Sequence, residues 1–376
     1  MKANKVIHVF FDKKLVGTLA FTPSHKVAFE YCDDWLQNGF SISPFSLPLK
    51  RQVFIPQKEY FHGLFGVFSD SLPDAWGRLL LSRLLKKQGS REDQLTVLDR
   101  LAIVGEAGMG ALTYQPQYNI SKENEWNDLD ELAVQCQHIL NTEYSDKLDE
   151  LYRLGGTSGG ARPKIMTKFN QESWIIKFPA HTDSPDAGLM EYEYALCAMQ
   201  CGIDMSPCRL FPSEKCKGYF GTKRFDREFS SKGEKRIHML TVAALLELDF
   251  EQPSLDYHSL MKLTKILTRE NTYDIENMFR RMCFNVFAHN RDDHSKNFTY
   301  LYEENTDSWR LGPAYDLTYS NTYYGEHTTT VDGNGKNPGM KELLAVGITA
   351  GMQREKCLDI AQSIEKCVKE MLGAYL

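Results

Sequence analysis

His289-Asn290-Arg291-Asp292-Asp293-His294-Ser295-Lys296-Asn297 is a densely polar stretch set between two apolar runs. It follows Met282-Cys283-Phe284-Asn285-Val286-Phe287-Ala288, a largely apolar run that predicts the end of a buried helix. It precedes Phe298-Thr299-Tyr300-Leu301-Tyr302, which is aromatic and β-branched and predicts a strand. Two aspartates, a histidine, a lysine and an asparagine between positions 292 and 297 carry more chemistry than a turn requires. Asn297 stands five residues after Asp292. A further acid, Asp316 in Pro313-Ala314-Tyr315-Asp316, follows one more strand-like segment, Trp309 to Leu311.

This spacing is that of a protein-kinase catalytic loop. The chemistry explains the residue types. One carboxylate accepts the proton of the substrate hydroxyl, while an amide oxygen and a second carboxylate hold the hard magnesium ions that bridge the phosphates. Asp292 suits the base and Asp293 is its rival; the offset to Asn297 favours Asp292. Lys296 could offset charge on the transferring phosphoryl group. Standing alone, the same residues read as a polar loop and Asp316 as a turn or cap residue; with Asp316 as the second magnesium ligand, Tyr315 reads as packing.

Two upstream segments raise the kinase reading. Lys177 closes the apolar run Trp174-Ile175-Ile176-Lys177-Phe178, like the strand lysine that grips the α- and β-phosphates. Glu193, sixteen residues on near the start of a predicted helix, is its candidate partner, with Glu191 as the rival. The segment Leu154-Gly155-Gly156-Thr157-Ser158-Gly159-Gly160-Ala161-Arg162-Pro163-Lys164 is glycine-rich, so backbone amides can approach phosphates closely. It matches neither GxGxxG nor GxxxxGK[ST], and by itself is a flexible loop. Thr157 and Ser158 are candidate phosphoacceptors within it. Arg280-Arg281 and the Lys215, Lys217, Lys223, Arg224 group read as solvated basic faces.

With 376 residues the chain can build two or three lobes with sizeable cores. Its 42% hydrophobic and 25% charged residues are ordinary for a globular protein, and a net charge of −6 argues against nucleic-acid binding through bulk charge. No run approaches the roughly 18 apolar residues of a membrane span. The start becomes an alternating strand rather than a secretory signal. Nine scattered cysteines read as reduced cytoplasmic thiols. Cys197 and Cys201, followed by Cys208 and Cys216, lack the paired short spacings of a zinc ribbon and read as core thiols.

Strand signals at 6–11, 15–21 and 27–31 predict an antiparallel meander. A helix capped by Ser71 or Asp70 is expected from near Pro73 through Leu84. A short strand at 111–114, a linker from Pro116 to Asn124 and a helix over 128–140 follow. Strands at 165–169 and 173–178, a helix over 189–200 and a hairpin of 208–211 with 218–223 predict a small α/β lobe. Helices over 238–248, 254–267, 273–288, 341–346 and 354–372 predict a helical last third.

At this point the chain resembles the HipA-type serine/threonine-protein kinases, toxin components of type II toxin–antitoxin systems. The resemblance runs through Leu72-Pro73-Asp74, Gly105 to Leu112 (GEAGMGAL), Gly159 to Lys164 (GGARPK), Ile175 to Pro179, Glu193, Lys223 to Arg227 (KRFDR), Asn290 to Phe298 and Pro313 to Asp316 (PAYD). It implies an α+β, two-lobed protein-kinase-like fold with an N-terminal β-rich subdomain (1–116), an N-lobe (125–226) and a helical C-lobe (227–376). The whole toxin is then expected in this chain.

The resemblance also implies roles. Asp292 is the proton acceptor, with Lys296 beside it in the catalytic set. Gly159, Gly160, Ala161, Arg162 and Lys164 form the phosphate loop. Lys177 and Glu193 serve the ATP phosphates, Lys223, Arg224 and Phe225 the adenine hinge, largely through backbone groups. His294, Asn297, Tyr315 and Asp316 complete the ATP site, and Asn297 and Asp316 bind Mg2+. Autophosphorylation falls on Thr157, the aligned position, or on Ser158. The implied partners are a protein substrate, with aminoacyl-tRNA synthetases among the family's targets, and a helix-turn-helix HipB-like antitoxin. DNA is met only through that antitoxin, and no membrane is involved. Two alternatives stay open: a small-molecule phosphotransferase, and a nucleotide- or antitoxin-binding module with vestigial machinery. The complete set of Lys177, Glu193, Asp292, Asn297 and Asp316 argues against the last.

Overall fold

Alternation builds the first sheet. In β1 (Val6–Phe11) Ile7, Val9 and Phe11 are buried while Val6 and His8 face out. β2 (Lys14–Phe21) and β3 (Val27–Tyr31) follow as the expected antiparallel meander. β4 (Leu112–Gln115) then pairs antiparallel with the free side of β1, giving the order β3-β2-β1-β4. The computed structural model describes residues 4–58, 60–118, 128–180, 183–230, 233–322 and 324–376. The expected linker from Pro116 to Asn124 lies mostly outside them.

The chain divides into two compact units. Residues 1–188, 209–240 and 244–247 make the first; 189–208, 241–243 and 248–376 make the second. The first unit contains the β1–β4 sheet and a second sheet of β5 (Lys164–Phe169), β6 (Glu172–Lys177), β7 (Cys208–Phe211) and β8 (Tyr219–Lys223), in the order β5-β6-β8-β7. The predicted helix near Pro73 runs Ala75–Lys87. Its N-cap residue is Asp74, not Ser71 or Asp70. The Asp74 carboxylate is spent elsewhere, on the Gly160 amide at 2.8 Å, and the Ser71 hydroxyl meets that of Tyr114 at 2.6 Å. Trp76, Leu80, Leu81 and Leu84 join Leu151, Ile165, Ile176 and Phe178 in one buried cluster. Each such large side chain stabilises the unit by about 1.5–3 kcal/mol. The helix Leu129–Leu140 begins as expected on Asp128, whose side chain accepts from the Asp130 amide at 2.8 Å.

The expected helix over 238–248 is shorter. Met239–Thr241 is extended and only Val242–Leu246 is helical. Leu240 and Val242 to Leu245 are all buried, so the run has no solvent face to set a helical period, and Glu247 ends the helix at φ 51°. A hairpin of Arg227–Ser230 with Gly233–Arg236 follows the KRFDR motif; its polar residues gave no apolar alternation to find it by.

In the second unit the helix Thr272–Phe287 is the central element. Asn271 caps it by accepting from the Tyr273 amide at 2.9 Å, and Met278, Phe279, Met282, Cys283 and Phe284 are fully buried. It packs against the helices Tyr257–Leu267 and Arg354–Leu372. Arg281 is not on a solvated face. It is 2% exposed and donates to Asn277 Oδ1 at 3.1 Å and to the Gly312 carbonyl at 2.5 Å. Burial pulls its guanidinium down to about 10, against the attraction of Asp204. The strands Thr299–Glu303 and Ser308–Leu311 form the hairpin that carries the chain from the charged loop to Asp316. Among the described residues no helix is long and apolar enough to cross a membrane.

Candidate active site

Asp292 and Asp293 are neighbours with opposite surroundings. Asp293 is 1% exposed. Its Oδ2 accepts from the Tyr257 hydroxyl at 2.9 Å and lies 3.0 Å from His327 Nδ1; its Oδ1 accepts from the Thr329 amide at 3.0 Å. Its carbonyl accepts from the Thr329 hydroxyl. The network continues through Asn285, which donates to Tyr257 at 2.9 Å, and Asn290, which donates to Asn285 at 2.9 Å. Asp293 therefore anchors the loop to the helix Thr272–Phe287 and to Thr329. Asp292 is exposed. Its carbonyl accepts from Asn297 Nδ2 at 2.7 Å, and its Oδ1 lies 3.9 Å from His294 Nε2. A saturated buried carboxylate cannot readily take a substrate proton, whereas an exposed one held by its backbone can.

The rest of the loop is ordered by local bonds. His294 caps the short 3-10 turn Ser295–Asn297, its Nδ1 accepting from the Lys296 amide at 3.2 Å. Lys296 places its ammonium 4.3 Å from the Phe250 ring centre. Tyr315 is more than packing: its hydroxyl donates to the Lys296 carbonyl at 2.5 Å and meets Thr299 Oγ1 at 2.6 Å. That bond ties the segment carrying Asp316 to the loop carrying Asn297. Asp316 has φ 53° and His289 has φ 51°. Non-glycine residues in this left-handed region are uncommon and cluster at functional sites. Because Asn297 Nδ2 is spent on Asp292, its Oδ1 is the atom it offers a cation. Amide and carboxylate oxygens such as those of Asn297 and Asp316 are the hard donors that magnesium accepts.

Other expected site residues lie in the first unit. The register of β5 and β6 sets Lys164 directly opposite Lys177. Lys164 is 6% exposed and donates to the Gly159 carbonyl at 2.7 Å; Lys177 Nζ lies 5.7 Å from the Phe220 ring centre. Gly160 has φ 83° and its amide bonds Asp74, so the Leu72-Pro73-Asp74 motif holds the glycine loop. Gly159 and Ala161 are exposed, and Arg162 pairs with Asp183 at 3.2 Å. Thr157 and Ser158 turn inward. Thr157 Oγ1 donates to the Ala107 carbonyl at 2.8 Å, and Ser158 Oγ to the Gly155 carbonyl at 2.6 Å.

The KRFDR motif divides its labour. Lys223 meets Glu172 at 2.5 Å at the edge of β8. Arg224 is buried: its side chain is bonded to Asp226 at 2.9 and 2.7 Å, and its amide to the Ser173 carbonyl at 2.8 Å. Phe225 is half-buried. Arg227 donates to Asp226 at 2.7 Å and to the carbonyls of Gly110 and Gly108 at 2.9 Å each, while the Gly110 amide donates to Asp226 at 2.7 Å. Burial alone would raise the Asp226 carboxyl; the Arg224 and Arg227 charges outweigh it and hold it well below the usual range. Two of the motifs, KRFDR and GEAGMGAL, are thus one buried network. Asp226 escaped the sequence reading as a structural centre because the Gly110 amide that joins the two motifs on it lies 116 residues away.

Glu193 belongs to the second unit, on the helix Ala187–Gln200, where it accepts from the Tyr375 hydroxyl. Glu191, its rival, is 4% exposed.

A model of the HipA-like C-terminal domain matches residues 156–372, and one of the HipA N-terminal domain matches 7–115. The chain belongs to the HipA family. Two relatives from Sinorhizobium fredii (strain NBRC 101917 / NGR234) carry the names "Putative kinase Y4dM" and "Putative kinase Y4mE". The first is 27% identical over 175 residues, 43% of this chain and 41% of its own length; the second is 23% identical over 357 residues, 85% of this chain and 78% of its own. Among solved structures, the complex of Shewanella oneidensis MR-1 HipA with HipB and operator DNA matches with a TM-score of 0.73 and 18% identity, over 98% of this chain and 91% of the matched one. The HipA-family chain accordingly has the expected α+β, two-lobed protein-kinase-like fold.

Proposed function

We propose that this HipA-family chain is an ATP- and magnesium-dependent serine/threonine-protein kinase and the toxin of a type II toxin–antitoxin module. The contrast between Asp292 and Asp293 carries the reading. One acid is exposed and held by its backbone; the other is buried and saturated. Asp292 takes the proton of a protein serine or threonine hydroxyl as that oxygen attacks the γ-phosphorus and the bond to the ADP oxygen breaks. Lys296 offsets charge on the transferring group, and His294 sets the turn that presents it. Asn297 Oδ1 and Asp316 hold Mg2+, which when bound screens the phosphate charges. Gly159 to Lys164 and Lys177 bind the ATP phosphates, Lys223 to Phe225 the adenine, with Arg224 fixed by Asp226.

The test is transfer of labelled phosphate from ATP to proteins of a cell lysate. Asp292→Asn and Asp316→Asn should each lower it by about 10³-fold or more with circular dichroism unchanged. Full transfer by both folded variants sinks the assignment; label found only in small molecules replaces it with a small-molecule phosphotransferase. Phosphate on Thr157 or Ser158 in the wild type, absent in Asp292→Asn, is the expected sign of autophosphorylation. Both hydroxyls bond inward, so the loop must open to be modified. A helix-turn-helix HipB-like antitoxin is the proposed partner, with DNA reached only through it. The nine free thiols suit action in the cytoplasm on a translation-related target such as an aminoacyl-tRNA synthetase.

A further inference from the structure

Three of the nine cysteines meet where no kinase chemistry needs them. Cys197 lies on the helix Ala187–Gln200, and Cys201 follows it by four residues, its amide bonded to the Cys197 carbonyl at 2.9 Å. Cys367 lies on the helix Arg354–Leu372. All three sulfurs are within 4.8 Å of one another, and Cys197 Sγ is 4.0 Å from Cys367 Sγ. A fourth sulfur, Met371 Sδ, is 3.8 Å from Cys367 Sγ. Each segment thus contributes two sulfurs four residues apart, which puts each pair on one helical face. The sequence showed one pair and hid the other, because Cys208 and Cys216 follow in the chain while Cys367 follows in space.

The separation discriminates between two uses of such thiols. A disulfide needs sulfurs about 2.05 Å apart. Two thiolates on one tetrahedral zinc, with bonds of about 2.3 Å, stand about 3.8 Å apart. The observed 4.0 Å excludes a formed disulfide and lies close to the spacing of two ligands on one ion. Cys197 is 0% and Cys201 5% exposed, whereas Cys367 is half-buried and Met371 is 44% exposed, so the site has a dry floor and an open side.

We propose that Cys197, Cys201 and Cys367, with the Met371 thioether, form a binding site for a soft d10 cation, Zn2+ or Cu+. Thiolate and thioether sulfur select such ions over the hard magnesium of the nucleotide site. Binding releases the three thiol protons to solvent and changes no oxidation state. The site also fixes a neighbour. Glu193, Cys197 and Cys201 follow at intervals of four, as do Cys367, Met371 and Tyr375, and Tyr375 already donates to the Glu193 carboxylate. The Tyr194 and Tyr375 rings lie 6.0 Å apart beside that bond. A bound ion staples the C-terminal helix to the helix that carries Glu193.

The experiment uses the full chain, reduced, stripped of metal and kept free of oxygen, with Co2+ as the optical probe. The expected result is sulfur-to-cobalt charge-transfer absorption that saturates at about one ion per chain, with tetrahedral d–d bands. Cys367→Ser, on the open side, should weaken binding on the order of 100-fold, while Cys208→Ser with Cys216→Ser leaves it unchanged. Displacement of Co2+ by Zn2+ or by Cu+ identifies the native class, and either supports the site. Absence of the charge-transfer absorption in wild type overturns it. So does a signal unchanged in folded Cys367→Ser, or a chain that forms a Cys197–Cys367 disulfide in air and takes up no metal after reduction. The wild-type titration decides the matter even where Cys367→Ser does not fold.

Discussion

The KRFDR motif of the first unit and the Asp292–Asn297 loop of the second are the two most charged short motifs in the chain, and they do opposite things. In KRFDR the charges consume one another: Asp226 is 0% exposed between Arg224 and Arg227, and the surplus donors go to the Gly108 and Gly110 carbonyls. In the loop one acid is consumed and the next is left outside: Asp293 is saturated and Asp292 is exposed. Charge density in the sequence does not separate scaffold from chemistry. What separates them is burial: Asp226 and Asp293 sit inside buried bonded networks, while Asp292 faces solvent.

That difference can be broken most sharply at Asp292. Asp292→Asn should remove about 10³-fold or more of phosphate transfer, about 4 kcal/mol of transition-state stabilisation, yet shift unfolding by less than about 0.5 kcal/mol. The pair of measurements is a rate assay and a urea melt. A variant that melts early would put Asp292 with the scaffold. Asp226→Ala should behave in the opposite sense. It leaves two buried guanidiniums and the Gly110 amide without their acceptor, and should cost about 3–4 kcal/mol of stability. Loss of activity in that variant should track loss of folded protein, read by hydrogen exchange across residues 105–115 and 223–227. Asp293→Asn should fall between the two kinds. It keeps one carbonyl oxygen but turns a nitrogen toward a donor, leaving one buried partner unsatisfied at a cost of about 2–3 kcal/mol. An Asp293→Asn chain as stable as wild type, but inactive, would make Asp293 the base and reverse the assignment.

Much of this was legible in the sequence. The meander of β1 to β3 showed because alternate residues are buried, and the helix Thr272–Phe287 because its apolar period is long. Asp292, Asn297 and Asp316 stood out as candidates because they lie close in sequence. What stayed hidden is non-local. Asp74 looks like a helix cap and is one by position, but its carboxylate bonds Gly160, eighty-six residues on. Arg281 looks solvated beside Arg280, but the Gly312 carbonyl waits for it in the core. The run at 238–248 looks helical because it is mostly apolar, and the burial of Leu240 and of Val242 to Leu245 erases the period that would have corrected it.

The smallest expected effect comes from a buried titratable group outside both motifs. His238 is 2% exposed, its Nε2 2.8 Å from the Ile42 carbonyl and its ring packed near those of Phe11 and Phe40. Burial pulls its pKa from 6.5 down to about 4, against the carbonyl, which favours the charged form. The folded state therefore binds the proton less readily than the unfolded state. The stability linked to this group is complete above about pH 6.5 and is lost as pH falls toward about 4. By about pH 5 the loss is about 2 kcal/mol, at about 1.4 kcal/mol per pKa unit. Urea melts of the first unit followed from about pH 8 to about pH 5 should show this slope, and His238→Gln, which titrates nowhere in that window, should flatten it. Asp226, already ionised throughout the window, should contribute nothing to it. A slope that survives in His238→Gln would move the acid sensitivity from this histidine to another group.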